Sequence, residues 1–199
     1  MPKVVDHDER RRELVEAAWR VIAARGIDEV TVREIARESG YSSGVLAHYF
    51  ENKDDLLVHA LRLSHEGIYR RYDEETATPL KRDALRAVLM DNLPLDQQRE
   101  RETHIEMSFW ARSLRNRSLR QIQHEEHGFL RRLLRRLVKG SQAEQAVTDE
   151  LSADAIVDLL AALIDGISLH ALLYPDGMTR RRQRATMELA LRLLAPPAS

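Results

Sequence analysis

The stretch Thr31 to Lys53, TVREIARESGYSSGVLAHYFENK, decides the fold of this chain. It reads as two short helices joined by a tight turn, with a third helix beginning near Lys53. Thr31 can cap the first helix, and Glu34 three residues on completes a capping box. Val32, Ile35 and Ala36 then give that helix an apolar face at helical spacing. Gly40 can take the left-handed conformation that ends a helix or makes a tight turn. Ser42 or Ser43 can cap the second helix, whose large side chains are Val45, Leu46, Tyr49 and Phe50.

Isolated helices shorter than about 12 to 15 residues are marginal in water, so this pair must pack against a neighbour. Two readings are open: an ordinary hairpin inside a helical domain, or a helix-turn-helix whose second helix, Ser43 to Phe50, enters a DNA major groove.

Working outward, 199 residues suffice for a sizeable core and one or two domains. Charged residues make up 32% and apolar residues 43%, a normal balance for a soluble helical protein. Without cysteine there is no disulfide scaffold and no thiolate metal site. The opening MPKVVDHDERRR has no apolar core behind it, and the longest apolar run, Leu159 to Ile164, is short for a membrane span. A cytoplasmic protein without a membrane partner is expected. The net charge is −1, and residues 1–53 hold nine Lys or Arg against ten Asp or Glu. A DNA reader then needs segregated charge, with Arg10 to Arg12, Arg33 and Lys53 on one side and the acids on another.

The remaining pattern is helical throughout, so the fold class is all-α with about nine helices. The first helix is expected from about His7 to Ala24, with Leu14, Ala17, Ala18, Val21 and Ile22 on one stripe and Gly26 at its end. Its basic start, Arg10 to Arg12, either touches phosphates or forms a solvated surface. Further helices are expected from about Lys53 to Tyr72 with Asn52 as cap, Pro79 to Asn92, Glu102 to Arg115, and Ser118 to Val138 with Gly140 ending it. Ser152 caps a helix to about Leu173, and Thr179 caps the last. Both final helices are apolar around much of their circumference, as expected where a subunit interface supplies an extra buried side. Ile156, Leu160, Leu163 and Ile167, with Met187, Leu191 and Leu194, are the expected dimer contacts.

Thr-Val-Arg-Glu-Ile-Ala in one helix and His-Tyr-Phe-Glu-Asn-Lys at the end of the next resemble the tetracycline-repressor family of bacterial transcription regulators, over about residues 10–57. Leu163 to Leu173, LIDGISLHALL, bears a lesser likeness to the choline-betaine pathway repressors. The resemblance implies a homodimer on a double-stranded DNA operator with an inverted repeat, repressing until a small-molecule effector occupies the C-terminal body. It implies a helix-turn-helix domain over residues 1–53 and an effector-binding and dimerisation domain over residues 54–199. It assigns Ser42, Ser43 and Gly44 to the start of the recognition helix and Val45 and His48 to base edges. Tyr49 and Lys53 match phosphate-contacting positions, and Thr31 and Arg33 complete the DNA-facing set. Ala47 stands where many members have tyrosine.

His104, Met107, Phe109, Trp110 and Leu114 mix imidazole, sulfur and aromatic groups within eleven residues, a set that suits either an effector cavity or an ordinary core. His170, in an apolar stretch, can meet an effector or bond across a dimer. From Arg112 to Lys139 nine Lys or Arg face two acids, which fits an acidic partner or a solvated helix surface. Nothing points to catalysis. His124 and His127 lack the H-E-x-x-H pattern of a zinc site, and there is no glycine loop for phosphates, so no metal, cofactor or enzyme activity is expected. The alternative function is a helical protein-binding adaptor without sequence-specific DNA recognition.

Overall fold

The computed structural model describes residues 7–26, 30–76 and 81–196, and these form nine helices and no strand. The helices are α1 (His7–Arg25), α2 (Val32–Ser39), α3 (Ser43–Tyr49), α4 (Lys53–Thr76), α5 (Lys81–Asp91), α6 (Gln97–Ser113), α7 (Arg117–Ala143), α8 (Ala153–Leu173) and α9 (Arg180–Leu193). They divide into two compact units, Met1–Gly67 with His104–Arg120, and Ile68–Thr103 with Gln121–Ser199.

In the first unit, local chemistry sets the ends of the short helices. The Thr31 hydroxyl accepts from the Glu34 N–H at 3.2 Å while the Glu34 carboxylate accepts from the Thr31 N–H at 2.8 Å, closing the capping box. Gly40 ends α2 at φ 74°, and the Tyr41 N–H reaches the Ala36 carbonyl at 3.0 Å. Ser42 caps α3 through the Val45 N–H, and Asn52 caps α4 through the N–H groups of Asp54 and Asp55. α1 packs on α2, and α2 on α3. Leu14, Ala17, Ala18 and Ile22 of α1 are fully buried, as are Ile35 of α2 and Leu57 of α4. Removing such a leucine to alanine costs about 2–5 kcal/mol.

The second unit is built around Val88, Leu89, Leu93, Leu134, Val138, Ile156, Leu160 and Met187. Beside this core lies a buried ion network. Arg71 of α4 meets Asp91 at 2.9 Å and Glu102 at 2.7 Å, and Arg99 meets Asp91 at 2.6 Å. Asp91 is fully buried, so its charge is tolerable only because two guanidinium groups hold it.

Three expectations are corrected. α6 begins at Gln97 rather than near Glu102, because Asp96 caps the Arg99 N–H at 2.9 Å. α7 runs through Gly140 to Ala143, where a helical glycine costs only about 1 kcal/mol against the burial of Leu133, Leu134 and Val138. α8 is, by length and composition, long and apolar enough to cross a membrane, since the apolar pattern continues beyond the Leu159–Ile164 run; the buried core helix of a soluble protein passes the same test. The expected helix start at Pro79, and most of the connection before Thr31, lie outside the described residues.

Candidate nucleic-acid interface

α3 is seven residues long and two-sided. Leu46 is 2% exposed and Phe50 at the C-cap is 7% exposed, which fixes the inner side. Ser42, Ser43, Gly44, Ala47 and His48 are exposed, and Val45 and Tyr49 are half-buried at the margins. A Cβ added at Gly44 would meet only the Ser42 Oγ, at 3.8 Å, so the protein itself does not require glycine there. What glycine leaves is open backbone at the N-terminus of a helix, a place suited to an anion.

Contacts from α1 hold the other end of α3. Arg11 directs Nη2 at the Tyr49 carbonyl (3.5 Å) and at His59 Nε2 (3.0 Å), and its guanidinium lies 5.7 Å from the Phe50 ring centre. The guanidinium has no lone pair, so His59 Nε2 is the acceptor and the ring is neutral with its proton on Nδ1. Burial and the neighbouring Arg11 and Arg62 push the His59 pKa below its ordinary 6.5, and Asp55 opposes them. The Tyr49 hydroxyl is bonded to His7 Nδ1 at 2.9 Å. Arg10 lies over the Tyr41 ring at 5.3 Å, and Arg12 pairs with Glu16. Arg10 and Arg11 thus brace α1 against the helix-turn-helix, a role outside both readings of this basic run. These partners lie about thirty to fifty residues away, where periodicity carries no signal.

The near-neutral charge balance also finds an arrangement. Glu13, Glu16 and Glu38 line one cleft with Arg20 and Tyr41. Arg20 pairs with Glu38, Arg25 with Glu34, and the Tyr41 hydroxyl donates to Glu13 at 2.5 Å. Thr31 and Arg33 are exposed at the start of α2, the Thr31 hydroxyl being engaged by Glu34, and Lys53 is half-buried at the start of α4.

The residues expected around an effector do not form one set. Phe109 is fully buried, Leu114 is 76% exposed, and His104, Met107 and Trp110 lie between. On a 3.6-residue helix Ile105 and Phe109 take the core side, which turns Leu114 outward. His170 belongs to the second unit, where it is exposed and packs edge-on against Tyr174. Helical periodicity carries no sign of the polar pairs on these helices. Half-buried Glu106 accepts from the Trp110 indole N–H at 2.7 Å and lies 3.0 Å from His65 Nε2. In the second unit the Tyr69 hydroxyl donates to Glu126 at 2.8 Å, and its ring centre is 4.0 Å from that of Phe129.

The expected dimer contacts are mostly buried within their own chain. Ile156, Leu160, Ile167, Met187 and Leu194 lie inside the core of their own subunit, and Leu163 and Leu191 are only partly exposed. Ile156, Leu160 and Met187 keep no accessible surface in one chain, which leaves them nothing to offer a second. The exposed stripe on α8 is Ala155, Leu159, Ala162, Gly166, Leu169 and Leu173, at alternating steps of four and three residues. On α9, Leu189 is 48% and Leu193 75% exposed.

Comparison with known proteins agrees with this architecture. Residues 14–60 match the family model for bacterial regulatory proteins of the tetR family, and residues 81–196 match that for the C-terminal part of BetI-type transcriptional repressors. The HTH-type transcriptional regulator PksA of Bacillus subtilis is 32% identical over 184 residues, spanning 92% of this chain and 88% of that protein. The HTH-type transcriptional regulator BetI 1 of Chromohalobacter salexigens is 30% identical over 192 residues, spanning 92% and 89%. Among solved structures, a transcriptional regulator from Saccharomonospora viridis in complex with choline aligns with a TM-score of 0.85 at 26% identity, covering 94% of this chain and 97% of that one.

Proposed function

Because the chain belongs to the tetR family of bacterial regulatory proteins, a family of ligand-responsive regulators and not of enzymes, we propose that it works as a homodimeric repressor in the cytoplasm. Each subunit lays α3 in a major groove of an inverted-repeat operator, and a small molecule bound in the body releases the DNA. The observation that carries this is the two-sided α3, exposed along Ser43, Gly44, Ala47 and His48 and anchored through Leu46 and Phe50. A protein-binding adaptor has no need of a glycine-opened, capped helix in that position.

Within the reader, Ser42, Ser43 and Gly44 offer amide and hydroxyl groups to a phosphate. Val45 and His48 meet base edges, and Thr31, Arg33, Tyr49 and Lys53 hold the backbone. Residues 1–53 do the reading and residues 54–199 dimerise and bind the effector. The dimer forms through the exposed stripe of α8 with Leu189 and Leu193 of α9, and the small Ala162 and Gly166 let two helices approach closely. His170 stands beside that stripe, so we assign it to the dimer face rather than to the effector. Selection from a random duplex library at a fixed salt concentration tests this reading. It predicts recovery of one inverted repeat, lost or altered by His48→Ala; recovery of no sequence would remove it.

For the effector we propose a small organic cation. The choline bound by the Saccharomonospora viridis regulator suggests the class. The half-buried Glu106 carboxylate, bonded to the Trp110 indole N–H, supports it here, as a carboxylate attracts such a cation and an indole ring can pack against it. Choline should raise the thermal unfolding temperature of the wild type and not that of Glu106→Gln. No shift in the wild type would exclude choline.

A further inference from the structure

The corner between α6 and α7 in the first unit carries charge of one sign only. From Ala111 to Arg120 the chain carries four arginines and no acid. Two of the four are occupied: Arg112 Nε donates to Asp54 at 2.6 Å, and Arg120 donates to the Ser113 and Leu114 carbonyls at the end of α6. Arg115 and Arg117 are exposed, and their side chains have no ion-pair or hydrogen-bond partner among the described residues.

Asn116 lies between them and fixes where they stand. Its Oδ1 accepts from the Ser118 and Leu119 N–H groups and caps α7, while its Nδ2 donates to the other Asp54 oxygen at 3.1 Å. The corner is therefore fastened on both sides to Asp54, the neighbour of Lys53. Arg115 and Arg117 each start one Cα step, about 3.8 Å, from the residue that touches Asp54. The positive end of the 27-residue α7 adds to the field at the same place.

Two exposed arginines thus adjoin in sequence the residue that fastens the corner to the start of α4, where the Asp54 carboxylate is already paired with Arg112. Resting on the DNA-reading role of α3 and Lys53, the geometry points to the α6–α7 corner as a second phosphate-binding element, in which Arg115 and Arg117 contact the DNA backbone beside Lys53. Such contacts add affinity and counterion release without base preference. They also supply positive charge to a reader whose residues 1–53 hold more acids than bases.

The test compares salt dependence of binding to a random-sequence duplex for the full-length protein. Each lost phosphate contact lowers the slope of log K against log salt by about 0.9. Arg115→Gln with Arg117→Gln should therefore lower it by about 1.8, which shrinks the affinity loss between 50 and 200 mM salt by about twelvefold. The double lysine variant should restore the wild-type slope. Arg132→Gln with Arg136→Gln, exposed on α7 in the other unit, should leave it unchanged. An unchanged slope for the corner variant, or an equal drop for the α7 control, would overturn the proposal. If Lys53→Gln lowers the slope while the corner variant does not, only this inference falls; if the wild type binds no duplex, it falls together with the DNA-reading assignment.

Discussion

His59 of α4 helps to hold Arg11, the α1 side chain that reaches the end of α3. It accepts from Arg11, which also donates to the Tyr49 carbonyl, so a proton on His59 Nε2 would set two cations against each other. The folded pKa lies below 6.5, so as pH falls through that value the unfolded chain takes the proton first and stability declines. Denaturant unfolding from pH 7.5 to 5.5 should show this decline in the wild type and not in His59→Gln, which keeps an acceptor without titrating there; parallel curves would contradict it. Glu34 works with the opposite sign. The Thr31 backbone N–H and hydroxyl, and then Arg25 and Arg37, hold its carboxyl below the ordinary carboxylate range. Its contribution is present above the unfolded pKa and is lost as pH falls through the folded one, so the stability gap between wild type and Glu34→Gln should close in acid. Thr31, Glu34, Gly40 and Ser42 were legible in the sequence because each acts on a backbone group within a few residues. Arg11 was not, since its partners come from distant turns of the chain.

At the scale of elements, the helices were legible and their ends less so. Asp96 starts α6 ahead of its apolar pattern, and α7 passes through Gly140 because the burial of Leu133, Leu134 and Val138 outweighs a single propensity. Periodicity also marked α8 as apolar nearly all round without saying which side faces its own core. The structure separates Ile156, Leu160 and Ile167 from Leu159, Leu169 and Leu173. A polar element escaped periodicity altogether, since Arg71, Asp91, Arg99 and Glu102 come from three segments. Hydrogen bonds donated to Glu102 and Asp91 keep Arg71 charged against the cost of its burial. Arg71→Met should cost roughly 3–5 kcal/mol in chemical denaturation, because it leaves the Glu102 carboxylate uncompensated. A loss below 1 kcal/mol would mean that Arg99 alone suffices.

For the whole molecule, one seven-residue helix reads too few bases, so function requires two subunits and a surface that joins them. Leu159→Glu with Leu193→Glu changes exposed side chains only, and should yield folded monomers by sedimentation while leaving helix content intact. A dimer that survives both changes would place the interface elsewhere. Operator binding should fall with dimerisation, whereas loss of Lys53 should weaken all duplexes alike.

The central claim, two copies of α3 in successive major grooves on one face of DNA, is tested most directly by spacing. The affinity of the purified dimer for its selected inverted repeat is compared with that for the same repeat carrying five extra base pairs between half-sites. Half a helical turn puts the second half-site on the opposite face, so affinity should drop to that for random duplex, and ten inserted base pairs should not mimic a simple loss of sequence. Equal affinity for the original and the five-base-pair insert would contradict paired reading by α3.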